Sequence, residues 1–236
     1  MNTTHPLARA SVALVVGRRG SGKSELLRRA TWSRPRVVVL DVLHGEPAED
    51  GIDREGFATV EDEEEYLDAL REFAGFKSWR IVVRPDNAET APWAATALMP
   101  RDSGVTGYAR AVHGVTFICD EVDLWAPNNN GIHPDVRAAV QRGRHYEINI
   151  LAATRRPAEC HRDISSQADV LVTFRQHEPR DVAWLAGAGG QDLADVAREL
   201  DKYEYATFEA DTGAVRRYNG SDQRIPTKGG DQECSD

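Results

Sequence analysis

The residues with the clearest chemical signature form one short segment near the amino terminus. In order, they are Gly17, Arg18, Arg19, Gly20, Ser21, Gly22, Lys23 and Ser24. Their spacing fits the pattern G-x-x-x-x-G-K-S/T, in which glycines let successive backbone N–H groups turn inward around an anion. Lys23 then reaches the β- and γ-phosphates, and the Ser24 hydroxyl binds Mg²⁺. The segment predicts a site for a nucleoside triphosphate and its magnesium ion.

The flanks of this segment have the character that a phosphate-binding loop requires. An apolar, β-prone run at 12–16 precedes it, and a helix-prone run at 25–30 follows it. A helix that begins near Gly22 adds the positive end of its dipole where the phosphates bind. The alternative, a glycine-rich turn that contains Lys-Ser by chance, leaves this strand–loop–helix order unexplained.

A second chemical landmark is an apolar run at 114–119 that ends in Asp120 and Glu121. An apolar strand ending in Asp-Glu is the Walker B form. Its Asp holds Mg²⁺, usually through water, and its Glu polarises the water that attacks the phosphate. Alone the pattern is weak, since an ordinary strand can end in an acidic loop. Downstream of a phosphate-binding loop it indicates nucleotide hydrolysis.

The elements that must position these residues alternate along the chain. Runs typical of buried strands cover 12–16, 36–41, 79–84, 114–119, 148–154 and 169–174. Helical patterns lie between them, including one that Thr59 is expected to cap and another over 134–145. This order predicts an α/β fold with a mostly parallel sheet and helices on both faces. Phosphate sites in such sheets lie at the carboxyl ends of the strands, where the loop, Asp41, Glu121 and Thr154 all belong.

The C-terminal part departs from this alternation. Two short helices are predicted near 179–186 and 191–200, with glycines between them. Two β-prone runs, 205–209 and 214–218, then flank Asp211-Thr212-Gly213 and predict a small terminal hairpin. From Ser221 the sequence is polar and glycine-rich. We therefore expect a single domain over residues 1–220 and a disordered tail over 221–236.

Composition narrows the functional classes. The chain has 236 residues, of which 41% are hydrophobic and 28% charged, as expected for one α/β domain. Its net charge of −9 argues against a surface that coats nucleic acid, but allows a few local DNA contacts, for instance inside a ring. Cys119, Cys160 and Cys234 show no paired spacing, and no apolar run has membrane-spanning length. We expect a cytoplasmic protein without a membrane span.

The order of these motifs resembles the FtsK/HerA branch of P-loop ATPases, the ring-shaped DNA pumps. The resemblance covers about residues 11–186. It rests on the P-loop, Asp41 with 44–46 (HGE), Asp120-Glu121, and above all 141–144 (QRGR) and 150–157 (ILAATRRP). It implies a RecA-like (ASCE) P-loop NTPase fold, ATP as the nucleotide, and a homo-oligomeric ring, expected to be a hexamer.

The same resemblance implies roles for individual residues. Arg144 best matches the arginine that enters the neighbouring subunit's site, and Arg142 is the near alternative. The competing interpretation is that both arginines only satisfy helix-end carbonyls and nearby acids. Arg155 stands where the family usually has the Gln that senses the γ-phosphate. Thr154 is therefore the candidate for that role, while Arg155 either adds charge near the phosphates or points elsewhere.

These expectations converge on an ATP-hydrolysing translocase of double-stranded DNA. The chain is little more than the motor, which suits a viral or phage genome-packaging ATPase that acts in the host cytoplasm with a portal or similar partner. The first alternative is an FtsK/HerA-like motor of plasmid mobilisation or of a defence system. The second is a nucleotide-dependent assembly switch that does not move DNA. Residues 84–87 and 128–131 are candidates for DNA contacts.

Overall fold

The computed structural model describes residues 5–8, 10–31, 34–41, 56–85, 114–126, 132 and 134–226. The strands in these ranges are β1 (Val12–Val16), β2 (Arg36–Leu40), β3 (Phe57–Val60), β4 (Trp79–Val83), β5 (Val115–Cys119), β6 (Asn149–Thr154), β7 (Val170–Phe174), β8 (Tyr205–Glu209), β9 (Val215–Tyr218) and β10 (Arg224–Ile225). The helices are α1 (Lys23–Thr31), α2 (Glu63–Phe73), α3 (Val122–Trp125), α4 (Pro134–Arg142), α5 (Arg162–Ser166) and α6 (Pro179–Glu199). Two 3₁₀ turns cover Gly143–Tyr146 and Pro157–Glu159.

All these strands belong to one sheet with the order β10-β9-β8-β7-β1-β6-β5-β2-β4-β3. Strands β1 to β7 pair in parallel, and β8 to β10 continue the sheet antiparallel from β7. The predicted mostly parallel sheet with a C-terminal hairpin is confirmed. The central strand is β1, which precedes the P-loop, and β6 separates it from β5, which precedes Asp120.

Both faces of the sheet are covered, which explains the uninterrupted apolar runs. In β1, Leu14 and Val16 enter one apolar cluster, while Ala13 and Val15 enter the cluster on the other face. All residues of this strand are buried. A strand buried on both sides has no solvated face and therefore reads as continuously hydrophobic.

The helices supply these two layers from opposite sides. Helix α1 contributes Leu26 and Leu27 to one cluster, and α2 contributes Tyr66 and Leu70 to the other. Helix α6 packs on the same side as α2 and bends at Gly190, whose φ of 85° and ψ of 167° are non-helical. The prediction of two helices separated by glycines is thus confirmed.

Two predicted helix boundaries are wrong. Thr59 does not cap a helix, because residues 57–60 form β3 beside β4. The cap of α2 is Asp62, whose carboxylate accepts a hydrogen bond from the Glu65 N–H at 2.9 Å. The helix predicted over 134–145 ends earlier, at Arg142, and a 3₁₀ turn carries the chain on to Glu147, which has a left-handed φ of 57°.

The predicted start of the tail is also corrected. Residues 221–226 are described and include β10, which pairs with β9. Asp222 accepts hydrogen bonds from Arg29 Nη2 at 2.9 Å and from the Tyr205 hydroxyl at 2.8 Å. Ladder bonds and this partly buried contact hold a segment whose composition alone predicts disorder. Residues 227–236 lie outside the described ranges, as do 44–46, 86–87 and 128–131.

Candidate nucleotide-binding site

The P-loop lies between the carboxyl ends of β6 and β7, where β1 gives way to α1. Its first N–H, that of Gly17, donates to the Thr154 carbonyl at 3.2 Å, which fixes the loop to the end of β6. Gly20 and Gly22 have φ values of 73° and 111°, in the left-handed region that glycine adopts without a steric penalty. Helix α1 begins directly after this turn, so the positive end of its dipole lies at the loop.

Lys23 is the buried cation of the loop, with only 5% of its surface exposed. Its Nζ donates to the Arg18 carbonyl within the same loop at 3.3 Å. Burial lowers the pKa of this ammonium, and the nearby Glu121 and Asp120 carboxylates act in the opposite direction. A cation desolvated in this way gains strongly from an anion brought beside it, as a nucleotide phosphate would be.

Ser24 and Asp120 meet across the gap between α1 and β5. The Ser24 hydroxyl donates to Asp120 Oδ2 at 2.6 Å. A hydroxyl and a carboxylate side by side are the oxygen ligands that suit Mg²⁺, which is usually held by one or two carboxylates together with substrate phosphates. No cluster of three or more His, Cys, Asp or Glu side chains that could hold a metal occurs in the described ranges. The Ser24–Asp120 pair is the feature that fits a magnesium ion.

Glu121 is held in an unusual conformation next to this pair. Its backbone is left-handed, with φ 55° and ψ 53°, which costs a non-glycine residue about 1–2 kcal/mol. Strain of this kind persists where surrounding contacts impose it, often at functional sites. Its side chain is 8% exposed. Burial raises the pKa of the carboxyl group, while Lys23 and a hydrogen bond from Arg155 oppose that rise.

The loop after β6 brings two polar side chains, Thr154 and Arg155, into contact with carboxylates. The Thr154 hydroxyl donates to Asp123 Oδ1 at 2.7 Å and accepts the N–H of Arg156 at 3.0 Å. Arg155 Nε donates to Glu121 Oε1 at 2.6 Å. Of the two alternatives left open for Arg155, the structure favours the one beside the phosphate site. The role of Thr154 in sensing the γ-phosphate stays a prediction, with its hydroxyl bound to Asp123 in this structure.

An open cavity of about 410 Å³ adjoins the outer side of the P-loop. Arginines dominate its lining, which consists of Arg18, Arg19, Arg155, Arg156, Ala158, Glu159, Glu178, Arg180 and Asp181. Its arginine side chains make it suitable for anions. The sequence identified Arg18 and Arg19 only through the motif and gave no sign that Arg180, on α6, lies on the same cavity.

Arg142 and Arg144 lie away from the phosphate site of their own subunit. Both are exposed and precede the amino end of β6, whereas the P-loop follows the carboxyl end of the parallel strand β1. Within the described part of the chain neither side chain forms a hydrogen bond or an ion pair. That observation does not favour the interpretation in which they only neutralise helix ends and local acids. Asp41 was expected at the same sheet edge as the P-loop. It follows β2 there and forms an ion pair with Arg84 at 3.2 Å.

Sequence reasoning missed three residues that support the site. Asp123 anchors Thr154, and Phe174 and Tyr203 pack beside Gly22. A Cβ atom on Gly22 would lie 3.3 Å from the Phe174 ring and 3.6 Å from the Tyr203 ring. Phe174 ends an apolar strand and could be predicted as core, but no local pattern marks the other two.

Among the described helices, none combines the length and the apolar composition needed to span a bilayer.

The sheet order and the P-loop together define a RecA-like P-loop NTPase fold, as expected. Neither a family model nor a curated protein sequence matches the chain. Among solved structures, it is similar to the genome packaging NTPase B204 of Sulfolobus turreted icosahedral virus 2 in complex with AMPPCP. The TM-score is 0.68 at 16% identity, over 92% of this chain and 98% of B204.

Two other solved structures extend the comparison. The DNA-packaging ATPase B204 of Sulfolobus turreted icosahedral virus gives a TM-score of 0.65 at 16% identity, over 92% of this chain and 98% of that one. The pCW3 conjugation coupling protein TcpA with ATPγS gives 0.54 at 16% identity, over 86% of this chain and 58% of TcpA. At these identities the likeness establishes the fold.

Proposed function

We propose that this protein is an ATP-hydrolysing motor that translocates double-stranded DNA, and that it packages a viral genome. The observation that carries the proposal is the convergence of Lys23, the Ser24–Asp120 pair and Glu121 at one edge of the sheet. The fold that the chain shares with the B204 packaging NTPases over nearly their whole length supports the choice of motor.

The proposed reaction assigns one task to each of these residues. Lys23 and the P-loop N–H groups bind the β- and γ-phosphates, and Ser24 and Asp120 hold the magnesium ion. That ion, when bound, neutralises charge that develops on the phosphate oxygens. Glu121 orients a water and accepts its proton while the water oxygen attacks the γ-phosphorus and the bond to the ADP oxygen breaks. The products are ADP and inorganic phosphate.

The proposal includes a homo-oligomeric ring, expected to be a hexamer. Arg142 and Arg144 support it because both are exposed at the sheet edge opposite the P-loop, where they are available to a neighbouring subunit. One of them, by our assignment Arg144, supplies positive charge to the neighbour's transition state. Without that charge the site of a single subunit is incomplete.

DNA binding in this proposal is local and electrostatic. With a net charge of −9, most of the chain repels the phosphate backbone, so contacts are confined to loops that face a central channel. Binding should be weak without ATP and strongly salt-dependent with it.

A portal or similar partner would receive the DNA, and the motor would act in the cytoplasm of the host cell. A conjugation-type motor is the second candidate, favoured by the shared fold with TcpA.

The decisive experiment compares the ATPase rate with and without duplex DNA, alongside particle mass in solution. We expect DNA to stimulate turnover, and we expect Lys23→Ala to abolish turnover while leaving the thermal unfolding temperature nearly unchanged. A protein that hydrolyses ATP slowly and ignores DNA would instead be the assembly switch. Unchanged ATP affinity and turnover in Lys23→Ala would refute the nucleotide site itself.

A further inference from the structure

The ion pair between Arg155 and Glu121 joins two neighbouring loops of the proposed catalytic edge. Glu121 follows β5 and Arg155 follows β6, and their side chains meet through a 2.6 Å hydrogen bond from Nε to Oε1. The two partners differ in solvent exposure. Only 8% of the Glu121 side chain is accessible to solvent, whereas 40% of the Arg155 side chain is accessible. The carboxylate is therefore fixed in the protein, while the guanidinium is the partner that can leave.

This pair conflicts with the task proposed for Glu121. A general base must present a free carboxylate oxygen to the water whose proton it takes. Here one oxygen already accepts a charge-assisted hydrogen bond, the strongest kind that a carboxylate forms with a side chain. While Arg155 stays in place, the carboxylate is less basic and one of its two oxygens, Oε1, is occupied. The arrangement is that of a resting site.

A nucleotide bound to the P-loop would bring a second anionic partner close to Arg155. Arg155 lines the arginine-rich cavity together with Arg18 of the P-loop. Its charge also acts on Lys23, the residue that would hold the β- and γ-phosphates. A γ-phosphate bound there offers the guanidinium two or three oxygens and a higher negative charge than a single carboxylate does. The Thr154 hydroxyl does not compete, since Asp123 already binds it.

We propose that Arg155 is a positioning residue that exchanges partners, from the Glu121 carboxylate in the nucleotide-free subunit to the γ-phosphate of bound ATP. The inference rests on the proposed ATPase function and deepens it. Binding of ATP frees Glu121 to act on water, whereas ADP, which has no γ-phosphate, leaves the pair intact. The site thus withholds its base until a hydrolysable nucleotide is present.

A double-mutant cycle on the full chain tests this exchange. We would measure the affinities of the wild type, Glu121→Gln, Arg155→Ala and the double variant for ATPγS and for ADP, both with Mg²⁺. Removing the carboxylate also relieves its repulsion of the γ-phosphate, but that effect occurs in both backgrounds and cancels in the cycle. What remains is the change in the Glu121–Arg155 interaction on binding.

We expect Glu121→Gln to improve ATPγS affinity about threefold to tenfold more in the Arg155 background than in the Arg155→Ala background, the range for a partly exposed, hydrogen-bonded ion pair. For ADP the two backgrounds should respond equally. Arg155→Gln, which keeps hydrogen-bond donors without the charge, should show reduced coupling. Thermal unfolding of each variant checks that it is folded.

Arg156 provides a matched control. It is the adjacent arginine, lines the same cavity, and pairs with Glu159 at 3.1 Å rather than with Glu121. Arg156→Ala should therefore show no coupling to Glu121→Gln with either nucleotide. Equal coupling for ATPγS and ADP, or none for both, would overturn the exchange while leaving the ATPase proposal standing. A wild-type chain that binds neither nucleotide would overturn the proposed function, and the exchange with it.

Discussion

Arg144 can act on ATP only from one subunit to the next, and this makes its removal a sharp test of the ring. The residue precedes β6, whose six residues span about 20 Å at 3.3 Å per residue. The P-loop follows the opposite end of β1, which is parallel to β6. The arginine and the phosphate site of one chain are thus separated by about the full length of a strand, which is beyond the reach of a side chain.

The expected effect of Arg144→Ala follows from that separation. ATP affinity should be unchanged, because the arginine is expected to act on charge that develops only in the transition state. The turnover number should fall by ~10³–10⁵, the value of an arginine finger in other phosphoryl-transfer sites. Lys23→Ala subunits are inactive but still offer an intact Arg144. If the two variants are mixed equally and exchange freely, about one quarter of the interfaces in a cyclic ring pair an intact P-loop with an intact arginine.

The assay is steady-state ATP hydrolysis at saturating ATP, with subunit exchange followed by energy transfer between labelled chains. Recovery to roughly a quarter of the wild-type rate is expected for independent interfaces. Arg142→Ala in the same mixture tests the neighbouring arginine. Arg137→Ala is the control, since Arg137 lies on α4, the helix that ends at Arg142, but pairs with Asp163 at 2.6 Å. Normal turnover in both the Arg142 and Arg144 variants, or no recovery despite confirmed exchange, would refute the reasoning.

Three further predictions concern the site and its supports. Glu121→Gln should retain Mg·ATP and stop hydrolysis, which single-turnover assays will show. Because burial raises the pKa of Glu121, the acid limb of the wild-type kcat/KM profile should lie above the usual glutamate range. As the pH falls through that pKa, activity should fall while the contribution of Glu121 to folding stability rises. Gly22→Ala should cost about 1–3 kcal/mol, because its φ of 111° is left-handed and Phe174 is adjacent; an unchanged unfolding temperature would contradict this. Asp222→Ala should lower stability by about 1–3 kcal/mol, because it removes the acceptor of the Tyr205 hydroxyl and of Arg29 Nη2 and leaves Arg29 only its bond to the Gly220 carbonyl. A calorimetric shift of under about 2 °C would show the contact to be unimportant.

The parts of the site that could be predicted are local in sequence. The P-loop and the Asp120-Glu121 pair are each encoded within a few residues, next to apolar runs that do form β1 and β5. The sequence also placed Thr154 at the correct sheet edge, because parallel strands end together. Prediction succeeded where one strand and its following loop contain all the information.

The parts that could not be predicted are contacts between segments distant in sequence. Whether Arg155 faces Glu121 depends on β6 lying beside β5 and on side-chain rotamers, neither of which a motif records. The engagement of Thr154 by Asp123 is of the same kind. The boundary at Ser221 was misjudged for the same reason: Asp222 is held by Arg29, which lies 193 residues earlier in the chain.

The central position of β1 has a consequence for how the domain is made. Among the described strands this one is synthesised before the others, yet its partners are β6 and β7, and the P-loop N–H of Gly17 bonds to Thr154. At ordinary translation rates the ribosome needs on the order of ten seconds to reach β7 after completing β1. Until β6 has been made, a fully apolar strand has neither neighbour. The topology is therefore rich in non-local contacts, which predicts slow folding and a nascent chain that cannot bind nucleotide before residue 174 has emerged.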